Sequence, residues 1–154
     1  MYQTRHDFGL LAMRLAIGTV FFLHGIGKLA AIGPFASGIG GFAGFLATLG
    51  VPAPMLFAWV VAIVETFGGL AILLGVLTRY AAVFTTIDMA AATVLVHLPN
   101  GYPVSQGGFE LTLLLGVASI GFVLLGAGGL SLEHALTGSE RDFPRFGRAE
   151  RPRV

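Results

Sequence analysis

Four stretches of this chain are long, apolar and nearly free of charge, and each carries at least one ionisable side chain at its interior or edge. They run from Phe8 to Ala31, Pro54 to Leu77, Tyr80 to Leu98 and Phe109 to Leu130, which is 24, 24, 19 and 22 residues. A helix needs about 20 such residues to cross the hydrocarbon core of a bilayer. The pattern therefore predicts an all-α membrane four-helix bundle. Charge is scarce, at 11% of the 154 residues, against about 25% in a typical soluble domain. It is also uneven: residues 8–130 hold six of the seventeen charged residues and the last 24 hold nine. Such a chain has too little polar side chain to cover a water-soluble globule. The first stretch is read as a retained span rather than a signal peptide, because it is too long, is interrupted by Arg14 and lacks a small-residue cleavage site.

Residues 32–51 are uncharged and glycine-rich, with Phe35, Ile39, Phe42, Phe45, Leu46 and Leu49 at helical spacing. This predicts a short interfacial or re-entrant helix between spans one and two. Pro52 and Pro54 then open the second span, as proline suits a first helical turn. Thr78-Arg79 forms a tight turn, and Pro99-Asn100-Gly101-Tyr102-Pro103 forms another. Ser131 is placed to cap a short helix over 131–136, with Glu133 in its first turn. The chain is divided into a transmembrane domain, 1–136, and an Arg-rich tail, 137–154, expected to be disordered.

Basic residues orient the bundle. With four spans, Arg5, Arg79, Arg141, Arg145, Arg148, Arg151 and Arg153 share one side, and Lys28 alone marks the other. Basic loops stay inside, so both termini are expected in the cytoplasm of a multi-pass inner-membrane protein. A net charge of +1 provides no field to gather nucleic acid.

Arg14, His24, Lys28, Glu65, Asp88 and Glu110 fall at membrane depth or its edge, with His97 nearby. An unpaired charge at the bilayer centre costs at least about 2.5–3.5 kcal/mol. These groups must therefore face the bundle interior, find partners or be neutral. Glu65 and Asp88 lie near the midplane on neighbouring spans, and Arg14 lies within ~10 Å of them along the axis at 1.5 Å rise per residue. On span one, Arg14, His24 and Lys28 fall within ~80° of one another at 100° per residue. Two readings stay open: a structural ion-pair network, or a polar pocket for a ligand or protons. In the pocket reading Glu65 and Asp88 are the candidate catalytic residues. Arg14, His24, Lys28, His97 and Glu110 are the candidate ligand-binding residues, with His97 and Glu110 at the edge.

Other chemistries find little support. The absence of cysteine removes thiol redox chemistry and Cys-ligated metal from this chain itself. The His and acidic residues have no metal-ligand spacing. No haem or flavin motif occurs, and the glycine pairs lie in apolar helices rather than in a phosphate-binding turn.

Several motifs together resemble the DoxX family. They are R-L-A-I-G-T-V-F-F-L-H-G-I-G-K-L (Arg14–Leu29), L-G-V-P-A-P (Leu49–Pro54) and V-E-T-F-G-G-L-A-I-L-L-G-V-L-T-R (Val64–Arg79). D-M-A-A-A (Asp88–Ala92), F-E-L-T (Phe109–Thr112) and G-A-G-G-L-S-L-E (Gly126–Glu133) complete the series. The resemblance covers about 8–136. It implies a four-helix inner-membrane protein linked to an oxidoreductase system, since the related DoxD branch is tied to thiosulfate:quinone oxidoreductase. It also implies soluble partners of sulfurtransferase or superoxide dismutase type. Its patterned polar positions fall here on Arg14, Gly25, Lys28, Glu65, Gly68, Gly69, Thr78, Arg79 and Glu110. The expectation is a membrane redox subunit with a quinone as cofactor, the polar cluster being flanked by Phe21, Phe22, Trp59, Phe67 and Phe84. The alternative is a non-enzymatic scaffold that recruits soluble redox enzymes through its Arg-rich tail. A small transporter is a third reading. Homo-oligomerisation through a glycine face is also considered.

Overall fold

A computed structural model of the chain describes residues 2–138. The Arg-rich tail from residue 139 onward, with Arg141, Arg145, Arg148, Arg151 and Arg153, lies outside the described residues. Those described form an all-α bundle. Helix α1 is Tyr2–Ala30, and α2 is the short helix Gly38–Thr48. Helix α3 is Pro54–Leu74 and α4 is Thr78–Asn100. They are followed by α5, Glu110–Leu125, and α6, Leu132–Thr137.

Three of these helices, α1, α3 and α4, are long and apolar enough to cross a membrane. The fourth expected span, 109–130, is shorter than its apolar run. It forms helix only over Glu110–Leu125, 16 residues, which is about 24 Å at 1.5 Å per residue. Gly126 ends it with φ 76°, a conformation that favours glycine. The segment 32–51 does hold a short non-spanning helix, α2. It turns Ala43 and Leu46 inward against Ala58 of α3.

Two different packing chemistries hold the long helices. Between α1 and α3 the backbones nearly touch. A Cβ added to Gly25 would stand 2.3 Å from the Thr66 nitrogen, and one on Gly69 would stand 2.5 Å from the Phe22 nitrogen. Lipid tails give helices no hydrophobic reason to associate, so this close approach supplies the dispersion contact. Between α4 and α5 hydroxyls meet: buried Thr85 donates to Ser119 at 3.0 Å and part-buried Thr93 donates to Thr112 at 2.8 Å. The core shared by α1, α3, α4 and α5 contains Phe21, Ile72, Ala82 and Phe122, all buried.

One end of the bundle is stitched shut. Arg14, 2% exposed, donates to the carbonyls of Ala127 at 2.6 Å and Leu130 at 3.0 Å. Asp7 accepts from the Gly129 N–H at 2.9 Å. Arg79 donates to the carbonyls of Val123 and Leu124, each at 2.8 Å, placing a cation at the negative end of α5. The tight α3–α4 turn uses Gly75 at φ 71° and Leu77 at φ 50°. Leu77 is strained there, and Glu133 holds it by accepting its N–H at 2.9 Å. Ser131 caps α6 by accepting from the His134 N–H. Asp7→Ala removes a charge-assisted hydrogen bond from the 126–131 loop. A loss of about 1.5 kcal/mol is expected, read from unfolding of the detergent-solubilised protein by denaturant.

Candidate functional site

Away from that end, α1, α2, α3, α4 and α5 enclose a cavity of about 660 Å³. Its walls are mainly Phe21, Phe42, Phe45, Leu46, Phe57, Leu95, Leu111 and Leu115, and its polar side chains include His24, Lys28, Glu65, Asp88 and His97. A largely apolar chamber with a few convergent polar groups is the usual form of a small-molecule site.

Lys28 and Glu65 form an ion pair across the α1–α3 contact, with side chains only 14% and 7% exposed. The Lys28 ammonium also lies over the Phe42 ring, 4.9 Å from its centroid, a cation–π contact that ties α2 to the pair. His24 stacks on Phe35 with centroids 3.7 Å apart. Its Nδ1 donates to the Val20 carbonyl at 2.9 Å, since a carbonyl oxygen can only accept. Asp88 faces the cavity from α4, and its Oδ2 is buried with no hydrogen-bond partner. Two carboxyl groups thus share the cavity with one lysine.

Both acid-bearing walls depart from regular helix. Val64–Gly68 of α3 is a π-turn containing Glu65, and Thr93–His97 of α4 is another, ending on His97. Such turns cluster at functional sites because they re-aim side chains. In regular helix His97 would stand about 180° from Asp88, nine residues at 100° each. The wider turn brings it back toward the Asp88 face, and both line the cavity. Helical periodicity alone does not anticipate this placement.

Not every candidate joins the cluster. Arg14 turns to the stitched end, away from Glu65 and Asp88, because the carbonyls of the loop after α5 claim its guanidinium there. Glu110 accepts from the Val104 N–H at 3.0 Å, and so fastens the loop before α5 instead of lining the cavity. His97 does line it, fixed by Nδ1 donating to the Gly107 carbonyl at 2.7 Å. The aromatic flank also differs from expectation. Trp59, Phe67 and Phe84 are exposed on the outer surface of the bundle, and Phe42, Phe45 and Phe57 take their place around the cavity with Phe21. Among the described residues no group of three His, Asp or Glu is gathered closely enough to hold a metal ion.

The DoxX family model matches residues 9–98. The Bacillus subtilis protein named "Putative oxidoreductase CatD" is 30% identical over 127 residues, 82% of this chain and 86% of that one. The Mycobacterium tuberculosis protein named "Uncharacterized membrane protein Rv3486" is 35% identical over 140 residues, 83% of this chain and 81% of its own. "Inner membrane protein YqjF" of Escherichia coli is 33% identical over 133 residues, 84% of this chain and 93% of its own. No solved structure matches the chain. The family match takes in all three helices that carry Lys28, Glu65 and Asp88, and the chain belongs to the DoxX family of multi-pass integral membrane proteins.

Proposed function

We propose that this protein is the membrane subunit of an oxidoreductase system and that its cavity receives a quinone-type ring. The observation carrying the reading is the cavity itself: an aromatic and aliphatic chamber of about 660 Å³ that contains the unpartnered Oδ2 of Asp88. A quinone ring is flat and apolar and carries two carbonyl acceptors. Lys28 retains N–H donors beyond the one engaged by Glu65. Asp88 is the candidate to give or take a proton at the ring oxygen, and the Lys28–Glu65 pair is the candidate to orient it. His24 adds a second donor or acceptor at the wall. When bound, a quinone supplies electron transfer coupled to protons. The chain has no cysteine, so the electrons come from a partner protein or a soluble reductant, for which sulfurtransferase- or superoxide dismutase-type enzymes are candidates. The name of the Bacillus subtilis relative agrees with a redox role. In the membrane α5 serves as a fourth, short crossing. The Arg79 end of the bundle and both termini face the cytoplasm, following the basic residues.

Glu65→Gln is expected to weaken saturable binding of a short-chain ubiquinone in nanodiscs by about 10- to 100-fold, the loss of one charge-assisted contact of about 1.5–3 kcal/mol. Asp88→Asn is expected to act in the same direction. Wild-type protein with no saturable binding, or a Glu65→Gln variant that binds like wild type, rejects the reading. Deleting 139–154 tests the scaffold alternative, which requires loss of co-purifying redox enzymes while quinone binding survives.

A further inference from the structure

We infer that His97 is the proton-exchange residue of the cavity and that the site trades protons with the end of the bundle carrying the 98–109 loop, opposite the Arg79 end. The inference rests on the reading of the cavity as the working site and names the side from which it is served. Three observations carry it. The first is the one-sided closure of the bundle. Beneath Asp88, Thr85 and Ser119 bond to each other, and Ile72, Ala82 and Phe122 are fully buried below them. Arg14, Asp7 and Glu133 then seal the far end. The second is the position of His97 at the opposite end, half-buried, where it lines the cavity beside Val104, Gly107 and Gly108. The third is its tautomer. With Nδ1 donating to the Gly107 carbonyl, the neutral ring presents Nε2 as an acceptor.

The step balances without any co-reactant. The O–H bond of the Asp88 carboxyl breaks, its proton crosses by cavity water, and an N–H bond forms at His97 Nε2. The imidazolium then gives that proton to bulk water, and uptake runs in reverse. Nine residues separate the two groups, about 13 Å along the helix at 1.5 Å per residue, so the transfer passes through water. A chamber of about 660 Å³ has room for it. The other titratable groups facing this space are His24 and Lys28 from α1 and Glu65 from α3. Glu110, on the loop side, is engaged with the Val104 N–H.

The test is time-resolved infrared spectroscopy of the full chain in nanodiscs after a pH jump, with Asp88→Asn assigning the Asp88 carboxyl band. His97→Gln, which keeps an amide donor for Gly107, should slow that band by at least about tenfold. Added imidazole should restore the wild-type rate. An unchanged rate in His97→Gln overturns the inference. So does a slowed rate that imidazole fails to rescue, because the residue then only shapes the loop. If His97→Gln does not give folded protein, His97→Asn is measured with the same criteria. Short-chain ubiquinone is titrated into wild type in parallel. Absent binding there defeats the quinone reading alone, since the infrared measurement needs no ligand.

Discussion

Replacing Lys28 with methionine should destabilise the bundle by about 3–5 kcal/mol, because it strands the Glu65 carboxylate in a low-dielectric interior. The two side chains are 14% and 7% exposed, so solvent screens little of this penalty. Replacing both, Lys28→Met with Glu65→Met, should return stability to near wild type or above it, since a buried pair often adds little over apolar side chains of similar volume. Equilibrium unfolding in mixed micelles measures both. The pairing matters for function as well as folding. A purely structural ion pair predicts that the stable double variant still binds a short-chain quinone, whereas the proposed site predicts that it does not. A single variant within about 1 kcal/mol of wild type would show that the pair is solvated.

The second large effect is expected at Gly25. An alanine there drives its Cβ to 2.3 Å from the Thr66 nitrogen and 2.7 Å from the Glu65 carbonyl carbon. Both are main-chain atoms and have no rotamer to escape into. The helices must separate, at about 1–3 kcal/mol or more for overpacking, and the π-turn carrying Glu65 moves with them. Gly25→Ala should therefore lower the midpoint of thermal unfolding and lose quinone binding together. At Gly9 and Gly121 an added methyl group would meet nothing within 4 Å. Gly9→Ala and Gly121→Ala are therefore the controls, expected within about 0.5 kcal/mol of wild type.

Hydropathy makes the helical bundle readable from the residues alone, because the bilayer demands long apolar runs. It also brings Lys28, Glu65 and Asp88 forward as inward-facing groups, and all three line one cavity. It fails where main chain competes with side chain. A sequence displays its charges, so Arg14 pairs on paper with carboxylates. The carbonyls of Ala127 and Leu130 that receive it become available only after Gly126 has broken the helix. A fixed 100° step turns His97 away from the Asp88 face, because it leaves no place for a π-turn. Trp59, Phe67 and Phe84 illustrate a third limit: in lipid an aromatic ring is as content outside as inside, so composition does not say which rings surround a site.

The stitched end has an evolutionary corollary. Arg14, Asp7, Arg79 and Glu133 each grip peptide groups, at Ala127 and Leu130, Gly129, Val123 and Leu124, and Leu77 respectively. Every amino acid brings the same carbonyl, and every one but proline the same amide. The clamp itself thus sets no side-chain identity at positions 123, 124, 127 and 130, and only packing holds Val123 and Ala127 apolar. Correlated substitutions between the clamping residues and those positions would be faint, leaving this joint nearly silent to covariation.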